Sequence, residues 1–144
     1  MRRGLAAAML CASCLAIANC AVQGRPFEPA RAARNQALIY VYRPYSYAGS
    51  LLRPNVTCGE ETARIGPGGY HAFVVPAGKV TCQVQTETAD QVEIDAKPGP
   101  YYIKEEFGWG WMTGHPHLDP VDNDQAQTEI RDCCVQEAPE QSTP

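Results

Sequence analysis

Apolar and polar residues alternate with a period of two along the middle of the chain. In VTCQVQT, Val80, Cys82 and Val84 fall on one side and Thr81, Gln83 and Gln85 on the other. QVEIDA repeats this, with Val92, Ile94 and Ala96 opposite Gln91, Glu93 and Asp95. Successive side chains of a strand point to opposite faces, so both runs predict strands buried on one side. ALIYVYR, Ala37 to Arg43, is apolar on both alternating faces and rich in branched and aromatic residues. It is too short and too bulky for a helix and predicts a strand covered on both sides. YHAFVV and YYIKEEF add two more strands, and NVTC with TARI predicts a hairpin around Gly59.

Turn residues separate these runs: Gly66-Pro67-Gly68-Gly69, Pro76-Ala77-Gly78, Pro98-Gly99-Pro100 and Gly108. They supply the positive or fixed φ angles that tight turns need. Short strands at this spacing predict a mainly β fold, a small β-sandwich. One short C-terminal helix is expected as well. Asp122 is placed to cap it, Gln125 follows three residues on as in a capping box, and Val121 with Ala126 flanks the cap. Ala126, Ile130, Cys133 and Cys134 then form an apolar stripe that should pack on the sheet.

The first 19 residues read as a secretory signal peptide: Arg2 and Arg3, then a small-residue apolar core from Gly4 to Ala18. That core is shorter than the ~20 residues a permanent membrane helix needs. Two processing sites compete. Ala16-Ile17-Ala18 fits ordinary signal peptidase and would expose Asn19, giving a soluble periplasmic or secreted protein; Ile17-Ala18-Asn19-Cys20 resembles a bacterial lipobox and would place a lipid on Cys20. Cys11 and Cys14 leave with the leader either way, so five of the seven cysteines remain, and a lipid on Cys20 leaves an even four for an oxidising compartment. The lipid reading is therefore preferred. Ala21 after the cysteine, rather than Asp, points to the outer membrane, with the domain facing the periplasm.

Removal of the leader takes away Arg2 and Arg3 and lowers the net charge from −4 to −6. An acidic domain without a basic face argues against nucleic acid as a partner. Residues 20–36 carry Pro26, Pro29 and scattered arginines without alternation and read as the lipidated N-terminus and a spacer, with room for a turn of helix in PARAARNQ. Residues 37–134 form the sandwich domain, and 135–144 read as a disordered tail.

ALIYVYRPYSYAGS, VPAGKVTCQV, GPYYIK and LDPVDNDQAQTEI together resemble the small bacterial lipoproteins of domain-of-unknown-function family 2846, over about Ala37 to Ile130. The Pro-x-Gly turn followed by an alternating strand is shared with immunoglobulin-like and PEGA-like sandwiches. The resemblance implies a lipid-anchored β-sandwich of that type, with no known activity.

Cys58, Cys82, Cys133 and Cys134 are the disulfide candidates, and four cysteines allow three pairings. Neighbouring Cα atoms lie about 3.8 Å apart, below the usual ~4.4 Å minimum of a disulfide. The expectation is therefore that Cys58 and Cys82 each bond to one of the C-terminal pair, closing loops on the order of 50 to 75 residues. The alternative is a Cys58–Cys82 bridge with Cys133 and Cys134 left as a thiol-redox pair.

His115, His117 and Asp119 alternate and share one face of an extended segment, as a metal site requires; the reading preferred here is a proline-bearing edge strand with surface histidines. Trp109 and Trp111 also share a face and, with Tyr45 and Tyr47 in RPYSYAGS, are candidates for an exposed binding surface, whereas Tyr40 and Tyr42 read as core. Glu105 and Glu106 adjoin and should face opposite sides of a strand, which prevents them from acting as a carboxylate pair. The sequence contains no Ser-His-Asp spacing, nucleophile elbow or phosphate-binding glycine loop. Neither an enzyme nor a cofactor is expected. The expected role is a non-catalytic binding or assembly module that meets an envelope protein or peptidoglycan, the alternative being a metal-binding or thiol-redox protein.

Overall fold

The computed structural model describes residues 24–108 and 114–137. The elements are β1 (Gly24–Pro26), β2 (Gln36–Arg43), β3 (Asn55–Cys58), β4 (Glu61–Arg64), β5 (Gly69–Pro76), β6 (Gly78–Gln85), β7 (Ala89–Ala96), β8 (Gly99–Gly108), β9 (His115–Val121), α1 (Asn123–Cys133) and β10 (Val135–Glu137). The strands build two sheets, a mixed one in the order β1-β10-β5-β2-β8-β9 and an antiparallel one in the order β4-β3-β6-β7. Each run with period-two alternation forms the strand it predicts. The fold is a small β-sandwich with a single short C-terminal helix among the described residues.

β2 organises the packing. It pairs antiparallel with β5 and parallel with β8, so it lies inside the larger sheet. Ala37, Ile39 and Val41 face the smaller sheet and meet Val56, Phe73, Val84 and Ile103 in one core. Leu38, Tyr40 and Tyr42 face the other way, into a second core with Phe27, Tyr70, Tyr102, Ala126 and Ile130. The molecule thus has three layers: small sheet, large sheet, then helix with N-terminal segment. Burial contributes about 1.5–3 kcal/mol for each large apolar side chain, so a strand with two covered faces is the main stabilising element.

Asp122 caps α1 by accepting from the Gln125 N–H at 3.3 Å, and the helix lays Ala126 and Ile130 on the large sheet. Tyr42 donates to Glu129 at 2.7 Å, which joins the helix to β2. Tyr40 stacks on Tyr102 with ring centres 5.1 Å apart, and Phe27 meets Tyr40 edge-on at 5.5 Å.

Three features differ from the sequence expectation. The described part of the spacer is tied to the domain: β1 pairs with β10, and Phe27 is buried. PARAARNQ forms no helical turn; it crosses the second core as irregular chain, with the Ala30 N–H donating to the Tyr40 hydroxyl at 2.7 Å, and ends in a turn closed by the Gln36 N–H to the Ala33 carbonyl. The start of the expected tail, Val135–Glu137, is the strand β10.

The cross-paired disulfides are also overturned. Cys58 bonds to Cys82, and Cys133 bonds to Cys134. The layers supply the reason. Cys58 and Cys82 are register partners on β3 and β6, with Cα atoms 4.1 Å apart and both side chains in the core between the sheets. Cys134 lies in the second core with Cys133 packed against it, so the large sheet separates the two pairs. Peptide mapping without reductant should therefore recover Cys58 linked to Cys82 and a C-terminal peptide lighter than its reduced mass by two hydrogens. A graded dithiol should open Cys133–Cys134 first, because Cys133 is half-buried whereas Cys58 and Cys82 are fully covered.

Candidate functional site

The inward face of β2 carries apolar residues at Ala37, Ile39 and Val41, and the next inward position is Arg43. Arg43 is only 2% exposed. A buried guanidinium must be hydrogen-bonded, and the chain between β2 and β3 satisfies it. Arg43 donates to the carbonyls of Gly49 at 2.6 Å and Leu52 at 2.9 Å, and across the turn to Ile65 at 3.3 Å. Its carbon centre also lies 4.2 Å from the middle of the Phe107 ring. Residues 44–54 are thereby folded around one cation. Gly49, at φ 70°, is required there, since a Cβ would come within 2.7 Å of the Phe107 ring.

β8 carries the second buried charged group. Tyr102↔Tyr40 and Lys104↔Tyr42 set its register with β2, which puts Glu105 beside Arg43 on the inward face. Glu105 is 0% exposed, and neither carboxyl oxygen has a hydrogen-bond partner among the described residues. Burial is the largest influence and pushes its carboxyl up to about 8, against the opposing pull of Arg43 and with a further push from Glu137. Arg43 is likewise drawn down by burial, with Glu105 and Glu137 acting the other way. Glu106 faces out, as the alternation requires, and pairs with Lys104 at 2.8 Å.

Between this pair and the overlying loop lies a cleft of about 270 Å³. Pro44, Tyr45, Ser46 and Ala48 form its outer wall. Arg43, Glu105, Glu106 and Phe107 complete its lining, the Glu105 carboxyl itself being closed to solvent. The loop also presents Tyr45 at 73%, Tyr47 at 79% and Leu51 at 96% exposure. Its far end is held by Arg53, which pairs with Glu137 of β10, and Glu137 also accepts from the Gly66 N–H at 2.8 Å. The buried polar base and the exposed apolar rim belong to one segment.

The other sequence candidates do not gather here. His115, His117 and Asp119 occupy alternate exposed positions of the edge strand β9, and His115 meets Thr88 at 3.3 Å. Among the described residues no group of three His, Cys, Asp or Glu side chains is placed to hold a metal ion. Cys133 and Cys134 end α1, where the helix dipole disfavours a thiolate, the reverse of what a redox nucleophile needs. Cys20, Trp109 and Trp111 lie outside the described residues.

Sequence reasoning missed Arg43 and Glu105 as a pair, although a signal was present. In YYIKEEF the inward positions are Tyr101, Ile103, Glu105 and Phe107, so the alternation alone puts a carboxyl among apolar neighbours.

Glu105 has a measurable consequence. Its ordinary value is 4.5, and in the fold it titrates at about 8. Between these values the folded chain holds a proton that the unfolded chain has lost, so this group's contribution is complete below about 4.5 and is lost as pH rises to about 8. The slope approaches ~1.4 kcal/mol per pH unit. Glu105→Gln removes the titration while keeping the shape, and urea denaturation across that range should show a flatter profile and a growing advantage of the variant as pH rises. Equal slopes for the two proteins would contradict the buried acid. No protein-family model matches this chain, and no curated protein shows significant similarity to it.

Proposed function

We propose that this chain is an exported binding or assembly module of the cell envelope, anchored in the outer membrane by a lipid on Cys20 and facing the periplasm. In this reading it is non-catalytic and engages an envelope protein or peptidoglycan through the end of the sandwich where residues 44–54 project. The observation that carries it is the pairing of a pinned loop base with an exposed rim: Arg43 holds the loop by the Gly49 and Leu52 carbonyls and ties it to Ile65, while Tyr45, Tyr47 and Leu51 are largely exposed. Large apolar side chains on an ordered loop expose area that a partner would cover with little further loss of conformational freedom. The leader, the Ile17-Ala18-Asn19-Cys20 box and the even number of cysteines left after lipidation support the address.

Intact mass of the full chain expressed with its leader in a Gram-negative host tests the address. Lipid on Cys20 with no alkylatable thiol is expected, whereas a chain beginning at Asn19 with one free thiol removes the anchor. Crosslinking capture from envelopes tests the surface. The combined change of Tyr45, Tyr47 and Leu51 to Ser should abolish enrichment of the partner with little change in melting temperature, since these side chains are largely exposed. Undiminished capture by the variant would rule the loop out.

A further inference from the structure

We propose that the exposed rim of residues 44–54 seats on the lipid head-group layer beside the anchor, so that the membrane covers Tyr45, Tyr47 and Leu51 until an envelope partner takes them. This rests on the lipid on Cys20 in the reading above, and goes beyond it by naming what the rim meets in the unbound chain.

The place where the chain enters the domain is the starting point. Gly24 is the register partner of Glu137, and Glu137 pairs with Arg53 at the far end of the loop. Leu51, at 96% exposure, lies two residues before Arg53. Four residue steps, no more than about 14 Å, join Gly24 to Cys20. A lipid on Cys20 would therefore bring head groups to the side of the domain that carries the loop. A contact made on so short a tether is intramolecular, at an effective concentration on the order of millimolar. A few apolar side chains that would not hold a free protein on a bilayer then suffice.

The loop has the chemistry that this layer takes. Pro44 to Leu52 contains no charged residue. Tyrosine gathers where bilayer meets water, because its ring is apolar and its hydroxyl polar, and leucine favours the acyl side. Backbone groups that enter the layer need partners within the protein, and the loop supplies several. The Ser50 N–H donates to the Tyr47 carbonyl at 3.2 Å and the Leu52 N–H to the Gly49 carbonyl at 2.8 Å, while Arg43 donates to the carbonyls of Gly49 and Leu52 from the core side.

Charge complementarity points the same way. Arg53 is half exposed and Arg25 of β1 is exposed, so cations stand on the tether side to meet head-group phosphates. Glu106, in the lining of the cleft, is paired with Lys104. In an acidic chain, an uncharged loop followed by an arginine is a surface that anionic head groups do not repel. A protein pocket or a second copy of the chain would bury the same side chains, but the tether brings neither to the loop.

The test uses the full processed chain, lipidated on Cys20, in vesicles of phosphatidylethanolamine and phosphatidylglycerol. Photoreactive p-benzoylphenylalanine replaces Tyr47 or, for comparison, Gln83 on the outer face of the small sheet. Irradiation should give lipid adducts that map by mass to residue 47 and few at residue 83. Leu51→Asp, at an exposed position, should lower the yield at residue 47 at least ~10-fold, since a carboxylate is strongly disfavoured where leucine is favoured. The comparison of residues 47 and 83 decides the matter where Leu51→Asp folds poorly. Equal yields at the two positions, no lipid adduct at residue 47, an undiminished yield in folded Leu51→Asp, or adducts from residue 47 to a second copy of the chain would each overturn the proposal. Should the lipid adducts fail with the lipid on Cys20 confirmed by mass, this inference falls alone; should they form while loop-dependent envelope capture is absent, the envelope-partner reading falls and the membrane contact stands. A mass without the lipid removes the anchor and this inference together.

Discussion

The covering of β2 on both faces is the constraint on which the rest of the molecule depends. A strand with Ala37, Ile39 and Val41 on one side and Leu38, Tyr40 and Tyr42 on the other cannot sit in a two-layer sandwich, because one apolar face would meet water. The small sheet covers the first face. The second needs a cover of its own, and α1 with Phe27 supplies it. That cover brings the two ends of the domain together, since the residues after α1 return as β10 and accept β1 as a neighbour. The vicinal Cys133–Cys134 bridge lies where helix gives way to strand, and Cys134 is already extended while its N–H still donates to the Ile130 carbonyl.

The same strand ends in the feature that creates the cleft. The inward row of β2 closes with Arg43, and the inward row of β8 reaches Glu105 beside it. Two buried opposite charges side by side would ordinarily meet. Here Arg43 donates instead to the carbonyls of Gly49, Leu52 and Ile65, which shape the loop and the adjoining turn. Removing one partner of a buried charge leaves the other costly, and Glu105 escapes that cost by holding a proton. The loop is therefore stabilised at the expense of the acid.

How much of this was legible depended on length and on layers. Eight-residue strands such as β6 and β7 show their alternation plainly, and the Asp122 cap with the Ala126–Ile130 stripe located the helix. β1 and β10 have three residues each, too few for any period, and their pairing is set by the cover that β2 demands rather than by their own side chains. The disulfides were misread for a related cause. Counting cysteines and comparing chain distances treats all four as equally reachable, whereas the large sheet divides them into two cores. Tyr45 and Tyr47 were readable as exposed because the alternation of the strand runs out at Pro44. The Arg43–Glu105 pair required the parallel register of β2 and β8, which no local pattern specifies.

The closeness of β1 to the proposed anchor bears on how the cleft would be presented. Only Ala21, Val22 and Gln23 separate Cys20 from Gly24, and the four residue steps between them span no more than about 14 Å. With the lipid that we propose on Cys20, the β1 edge of the large sheet would be held close to the head groups, without the long spacer that residues 20–36 suggested. The cleft lies between β2 and β8, three to four strands from that edge, and at about 4.8 Å per strand it stands on the order of 15 Å across the sheet from the tether. Gly24 is the register partner of Glu137, which pairs with Arg53, so the short tether would reach the domain beside the far end of the pinned loop. If it is anchored in this way, an acidic domain would be repelled by anionic head groups, which would turn its remaining surface away from the membrane.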